Sequence, residues 1–301
     1  MPVKQKFRRK TKYSFAIIGA GMVGTAIGVL LKKSGYNIVA VCDKSPAALK
    51  RAAKYIMADA FKKSLDKVGR ADCLIITTPD DAISSACREI SVLPDIKGKL
   101  VFHMSGAGGL NLLDTAAKAG AFVGSIHPLQ SFSSIENALV NIPQSYFGIT
   151  ANGKARSTAK KIVADLNGIS LFISDKQKPL YHAAACFASN YLVALLHAVE
   201  SLYQATGIKE KQARQAYLPL VYGTLKNIQR SGTVHALTGP IARGDMGTIK
   251  KHMETIQTNA PLFAPLYSAM GMITTKLARQ KGTIGPSRVK LLTDILKGVK
   301  K

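Results

Sequence analysis

The stretch Gly19-Ala-Gly21-Met-Val-Gly24 constrains the fold of this chain more than any other. It follows a short apolar run, Phe15-Ala-Ile-Ile18, and opens a helical pattern from Thr25 to Lys33 that Gly35 closes. Glycines at this spacing, between a strand and a helix, have separate uses. One permits the tight turn, one lets the backbone approach a pyrophosphate, and one lets helix pack on strand. Free N–H groups at the helix start would face the anion. Gly19, Gly21, Met22, Val23 and Gly24 therefore read as the cradle of a dinucleotide.

A second strand, Asn37 to Cys42, ends at Asp43, 22 positions beyond Gly21, where such a cradle expects an acidic residue on the adenosine ribose. Lys44 and Ser45, with Arg51 nearby, offer the alternative of holding a 2′-phosphate, so both NAD and NADP stay open as cofactors. The alternation continues with strands at 72–77, 100–103 and 121–126, separated by helices at 80–90 and 109–118. Strand 145–150, helix 154–166 and strand 169–173 complete it. Repeated strand–helix units predict an α/β domain with a doubly wound parallel sheet, whose ligands lie at the carboxyl ends of the strands. Three polar turns fall there. Thr78, Pro79 and Ser105 are expected to flank the nicotinamide half, and His127, Gln130 and Ser131 of "SIHPLQSF" to wall the substrate pocket.

After Asp175 helical periodicity takes over, broken at Gly207, at Gly232 to Gly239, at the Asn259-Ala-Pro261 turn and at Gly282 to Pro286. The predicted organisation is thus an α/β domain over 1–174, with a basic tail over 1–12, and an all-α domain over 175–301 for substrate binding and dimerisation. One long helix is expected from about Lys176 to Thr206. On it Lys178 and His182, four apart, share a face, and Asn190 lies about 80° round from His182. These three are the candidate catalytic residues, since burying them unpaired beside "AAACFASNYLVALL" would be costly. On spacing alone, Lys178 reads first as a solvated lysine near a helix start. In "ALTGPIARGD", Asp245 reads as a helix cap and Arg243 as a group for a substrate carboxylate.

The net charge of +25 raises nucleic acid as a partner. The excess is dispersed, remaining at +12 once residues 1–12 and 276–301 are set aside. Without a helix-turn-helix, zinc or aromatic-stacking signature it argues against a specific nucleic-acid reader. No apolar run is read as a membrane span, and the basic N-terminus lacks a cleavage site, so an unprocessed cytoplasmic protein is expected. Cys42, Cys73, Cys87 and Cys186 lack metal or C-x-x-C spacing and read as reduced core residues, with no metal site.

With "GAGMVGTAIGVLL", "TTPDDAI", "HMSGAGG", "IHPLQSF", "YHAAACFASNYLVALL" and "ALTGPIARGD" in view, the chain resembles the superfamily that joins a Rossmann domain to an all-helical domain. Its members include 6-phosphogluconate and β-hydroxyacid dehydrogenases, ketopantoate reductase and pyrroline-5-carboxylate reductase. It is more closely similar to a Rossmann-like predicted oxidoreductase family whose second domain is of unknown function. The resemblance implies a nicotinamide-dependent reductase of a small carbonyl or imine acid, with ketopantoate as first substrate, a link to pantothenate biosynthesis, and a homodimer. In related families a lysine on this helix, followed four residues later by Asn, acts as general acid or orients the substrate; the matching positions here are Lys178 and His182. A dinucleotide-binding sensor or scaffold without catalysis is the alternative of another class.

Overall fold

The protein is described by a computed structural model covering residues 13–298; the basic tail lies outside the described residues. The chain divides into two compact units between Ser189 and Asn190.

The first unit is built on β1 (Ser14–Ile18), α1 (Met22–Lys33), β2 (Asn37–Cys42), α2 (Pro46–Ala52), β3 (Phe61–Lys62) and β4 (Cys73–Ile76). It continues through α3 (Asp80–Ser91), β5 (Leu100–His103), α4 (Asp114–Lys118), β6 (Phe122–Pro128) and α5 (Ile135–Asn141). β7 (Tyr146–Ala151), α6 (Gly153–Asp165), β8 (Ile169–Phe172) and α7 (Lys178–Ala188) complete it. The strands form one sheet in the order β3-β2-β1-β4-β5-β6-β7-β8. The first six are parallel, as the strand–helix alternation predicts, whereas β7 pairs antiparallel with β6. β1, β4 and β5 are apolar and almost wholly buried because helices cover both faces of the sheet. One core layer gathers Ile27, Leu31 and Phe102, and the other Leu74, Ile83 and Ile90.

Pairing with β7 alters one expectation. β6 runs on to Pro128, so His127 lies within the strand, opposite Gly148, rather than in the turn after it. Successive strand residues point to opposite faces, so Ser125 and His127 share one face of β6.

The second unit is helical: α8 (Asn190–Ala205), α9 (Glu210–Ala236), α10 (Pro240–Arg243), α11 (Met246–Asn259), α12 (Ala264–Gln280) and α13 (Pro286–Leu296). Ile241, Ile249, Ala278, Leu292 and Leu296 make its core. Gly232 bends α9, and Asp245 caps α11 by accepting the Thr248 N–H at 3.0 Å, as its position implied.

Two further expectations need correction. The long helix is not continuous: Ser189, at φ −122° and ψ −74°, separates α7 from α8. The helical-face argument that grouped Asn190 with Lys178 and His182 assumed unbroken 100° steps, so it does not hold. Secondly, the stretch Asp175–Ala205 is long and apolar enough, by length and composition alone, to cross a membrane. From Pro179 to Val199 it contains no Asp, Glu, Lys or Arg, the interruptions being His182, Asn190 and His197.

Candidate functional site

The glycine turn is shaped by close backbone approach. Gly19 has φ +106°, and a Cβ there would lie 2.8 Å from the backbone of Thr77 and Thr78. A Cβ on Gly24 would sit 2.0 Å from the Gly19 carbonyl oxygen, so α1 can pack this close only with glycine. At Gly21 a Cβ would meet nothing within 4 Å, so this residue opens toward empty space rather than toward protein. No side chain caps α1 and no acidic residue occupies its first turn, leaving the Met22 and Val23 end electropositive. These features fit a dinucleotide pyrophosphate: a cradle that side chains would fill, beside an uncapped helix start.

A cleft of about 360 Å³ adjoins the turn and is lined by Gly19, Asp43, Lys44, Lys63, Thr78 and Pro79 among others. Asp43 accepts the Ala20 N–H at 2.7 Å and the Ser45 N–H at 2.8 Å. The Ser45 hydroxyl accepts from the Ala48 N–H and caps α2; Ser45 is not among the residues lining the cleft. Lys63 was not singled out by sequence, since it lies twenty positions beyond Asp43, past β3, in no recognisable motif.

The second cluster stands at the carboxyl ends of β5 and β6. Lys178, at the first turn of α7, is only 1% exposed, which excludes the solvated-lysine reading. Its Nζ donates to the Ser125 hydroxyl at 2.8 Å and to the Ser105 carbonyl at 3.0 Å. One turn along α7, the Tyr181 hydroxyl meets His127 Nδ1 at 3.0 Å. Residues 178 and 181 thus engage 125 and 127, because a helix turn and a two-residue strand step are similar in length. His182 packs edge-on against the His127 ring, with centroids 5.8 Å apart. Gly106 makes room for both: a Cβ there would lie 2.4 Å from His182 Nδ1 and 2.8 Å from His127 Nε2. His103, beside Ser125 in the sheet register, is wholly buried and accepts the Ser105 N–H at 3.1 Å through Nδ1.

Electrostatics follow from burial. Lys178 is pushed down from its ordinary 10.5 to about 8 by burial, with Asp175 and Asp80 pulling the other way. His127 and His103 are both lowered to about 4, by burial first and then by the Lys178 ammonium. At neutral pH both imidazoles are uncharged. Burial also raises the Tyr181 phenol. Among the described residues, three buried side-chain atoms lack a hydrogen-bond partner: Thr78 Oγ1, His103 Nε2 and His182 Nδ1. They belong to residues at or just after the ends of β4 and β5 and on α7. Buried polar atoms are rarely left unpaired, so this edge is polar beyond what its own folding uses.

The structure therefore gathers Lys178, His127, His182 and Ser105, while Thr78 lines the cleft. The Ser105 hydroxyl is committed to Asp80, at 2.6 Å, and to the Gly108 N–H, at 2.7 Å, so it braces the lysine's carbonyl acceptor. Gln130 and Ser131 lie exposed on the following turn, where the Gln130 amide holds the Ser131 N–H and the Asn141 carbonyl. Asn190 and Arg243 belong to the second unit, where both are exposed, and the Arg243 carbonyl accepts from Arg288. Ser125, Tyr181 and His103 were not assigned roles from the sequence. The only available signal was a serine and histidine two apart in an apolar strand, facing a lysine and tyrosine three apart on a helix.

Two family models match in tandem: a Rossmann-like domain over residues 1–128 and a domain of unknown function, DUF2520, over residues 145–274. The chain joins a Rossmann-like domain to a DUF2520 domain. Among solved structures, it is similar to a Bacteroides fragilis protein assigned as an NADP oxidoreductase, at 22% identity and a TM-score of 0.69, covering 89% of this chain and 97% of that one. A Thermotoga maritima protein matches at 23% identity and a TM-score of 0.69, covering 89% and 99%. A pyrroline-5-carboxylate reductase from Coxiella burnetii matches at 14% identity and a TM-score of 0.60, covering 95% and 99%. At these identities the shared property is the fold. No curated protein matches by sequence.

Proposed function

We propose that this Rossmann-like–DUF2520 protein is an NAD(P)H-dependent reductase of a small carbonyl acid, with ketopantoate as the first substrate to test. The observation that carries the reading is the buried Lys178, held by Ser125 and the Ser105 carbonyl at the strand edge where this fold class places its ligands. A dinucleotide bound in the glycine cradle supplies hydride. Lys178 stabilises the negative charge that grows on the carbonyl oxygen and then protonates it, a transfer that a pKa of about 8 favours over one of 10.5. Of its three N–H groups, two hold Ser125 and Ser105, which aims the third. Neutral His127, oriented by Tyr181, would contact the substrate without adding charge, and His182 packs beside it.

The likeness in fold to a pyrroline-5-carboxylate reductase supports a second reading, reduction of a C=N bond. The lysine weighs against it, because an ammonium repels an iminium carbon and stabilises an oxyanion. The four free cysteines suit a reducing, cytoplasmic setting. A homodimer is proposed through the helical unit. α8 buries only Ala198, and Val193, Leu220 and Tyr222 are exposed, an apolar surface that a second copy would cover. Sedimentation at micromolar concentration should then show a dimer.

The test is NADPH and NADH oxidation by the purified protein with ketopantoate, other 2-oxo acids and 1-pyrroline-5-carboxylate. Turnover of an oxo acid supports the first reading, and turnover of the imine alone favours the second. Tight dinucleotide binding with no turnover on any substrate would point to a sensor.

A further inference from the structure

We propose that Asp80 is a positioning residue for Lys178: through Ser105 it fixes the carbonyl that holds the ammonium in place. The inference rests on the reductase reading, in which Lys178 is the acid, and adds the group that keeps that acid aimed. Ser105 is the hub between the two. It is buried, and each of its polar groups is engaged. Its N–H donates to His103 Nδ1 at 3.1 Å, and its carbonyl accepts from Lys178 Nζ at 3.0 Å and from the Ser125 hydroxyl at 3.3 Å. Its hydroxyl accepts the Gly108 N–H at 2.7 Å and donates to Asp80 Oδ2 at 2.6 Å. A Cβ on residue 108 would lie 2.9 Å from that hydroxyl oxygen, so glycine lets the loop come this close. With N–H, carbonyl and side chain all held, Ser105 cannot swivel without breaking a buried hydrogen bond.

Asp80 anchors that arrangement. It is the first residue of α3, where the helix start favours a negative charge, and a hydrogen bond to a carboxylate is stronger than one to a neutral acceptor. Among the described residues, no other side-chain carboxylate bonds to Ser105, Ser125 or Lys178. Because α3 follows β4 and Ser105 follows β5, the bond ties together the ends of two neighbouring strands.

Charge gives a second link between the two residues. The titratable groups around Lys178 are Asp175 just ahead of it, Asp80 from α3, His103 from β5 and His127 from β6, with Tyr181 and His182 further along α7. Burial lowers the lysine, while the carboxylates of Asp175 and then Asp80 raise it. The two strand imidazoles are uncharged at neutral pH, and burial keeps the Tyr181 phenol protonated. Removing the Asp80 charge while keeping an acceptor oxygen in its place therefore lowers the lysine further.

The experiment compares Asp80→Asn and Asp80→Ala in the full chain by the pH profile of kcat and by NMR of isotope-labelled lysine side chains. The signal that titrates near pH 8 is assigned to Lys178 by its loss in Lys178→Met. Asparagine still accepts from the Ser105 hydroxyl, so below the alkaline limb its kcat should stay within about threefold of the unaltered chain, while limb and NMR midpoint both move down by about half a pH unit. Alanine leaves the hydroxyl without its acceptor and frees the carbonyl, so kcat should fall about 10–100-fold with dinucleotide affinity within about threefold. Asp81→Asn removes the same charge one residue further on, outside the network, and should move neither limb nor midpoint. Should Asp80→Asn leave both unmoved, or slow the reaction as much as alanine does, the inference falls while the reductase reading stands. A midpoint that moves in a chain that turns over no substrate supports the positioning and overturns the reductase reading. If Asp80→Ala folds poorly, the asparagine titration still decides.

Discussion

The glycine turn and the lysine cluster lie in the same unit and are built in opposite ways. The turn is one contiguous stretch, Gly19 to Gly24, recognised by what it lacks: side chains that would strike the Gly19 carbonyl or the Thr77 backbone. The cluster is made of side chains drawn from residues 103, 105, 125, 127, 178, 181 and 182, brought together by three elements of secondary structure. The turn is open to solvent along a cleft, while Lys178 is shut away. A backbone site needs only local geometry, whereas a site that shifts pKa values needs burial, which the whole sheet supplies. On the proposed function, that difference separates binding from chemistry within one unit.

The sharpest way to break the comparison is to remove the lysine. Lys178→Met should lower kcat by about 10²–10⁴-fold while the dinucleotide dissociation constant stays within about twofold. Loss of dinucleotide binding instead would mean the two regions are a single site. Gly19→Ala probes the other side: at φ +106°, with backbone at 2.8 Å, it should weaken dinucleotide binding about 10–100-fold. Titration of a ligand-binding signal, with thermal unfolding as control, separates that loss from misfolding.

pH should act on the cluster and not on the turn. Because Lys178 must be an ammonium to donate, kcat should fall about tenfold per unit above its pKa of about 8, with dinucleotide affinity level. Stability should respond at the acid end. His127 and His103 are lowered from 6.5 to about 4, so between those values the unfolded chain takes up protons that the folded chain refuses. The melting temperature should therefore drop as pH falls from 6.5 toward 4 and lose this contribution to its slope below that. His127→Asn should flatten the decline; an unchanged slope would show that the ring is protonated in the folded state. The smallest effect belongs to Gln130→Ala. Its amide holds only the exposed turn and the exposed end of α5, so steady-state rates should stay within about twofold. A large loss would move the substrate wall outward, toward the original reading of "SIHPLQSF".

Much of the first region was legible from sequence because its determinants are close together and repeat a simple rule. The parallel sheet follows from alternating strand and helix patterns, and the cradle and the acid at the end of β2 from glycine spacing, whereas the two-residue β3 was too short to read. The pairing of β7 with β6 was not legible, since antiparallel addition leaves the same apolar pattern as a parallel strand. The break at Ser189 was equally hidden. Serine is tolerated inside helices, and nothing local marks it as a stop, yet it cancels the shared face expected for Asn190.

What the sequence by itself determined was a dinucleotide cradle on an α/β sheet followed by helices, because glycine spacing and hydrophobic period act over a few residues. It also named Lys178, His182 and Asn190 as polar residues beside an apolar stretch, and His127 as part of a polar turn. What only the tertiary structure decided was that Lys178 is buried, that Ser125 and the Ser105 carbonyl hold it, and that the neighbouring imidazoles stay neutral. It also decided that Asp43 is fixed by two backbone N–H groups. The physical reason is that desolvation and hydrogen-bond geometry depend on neighbours up to 75 residues away along the chain, as Lys178 is from His103.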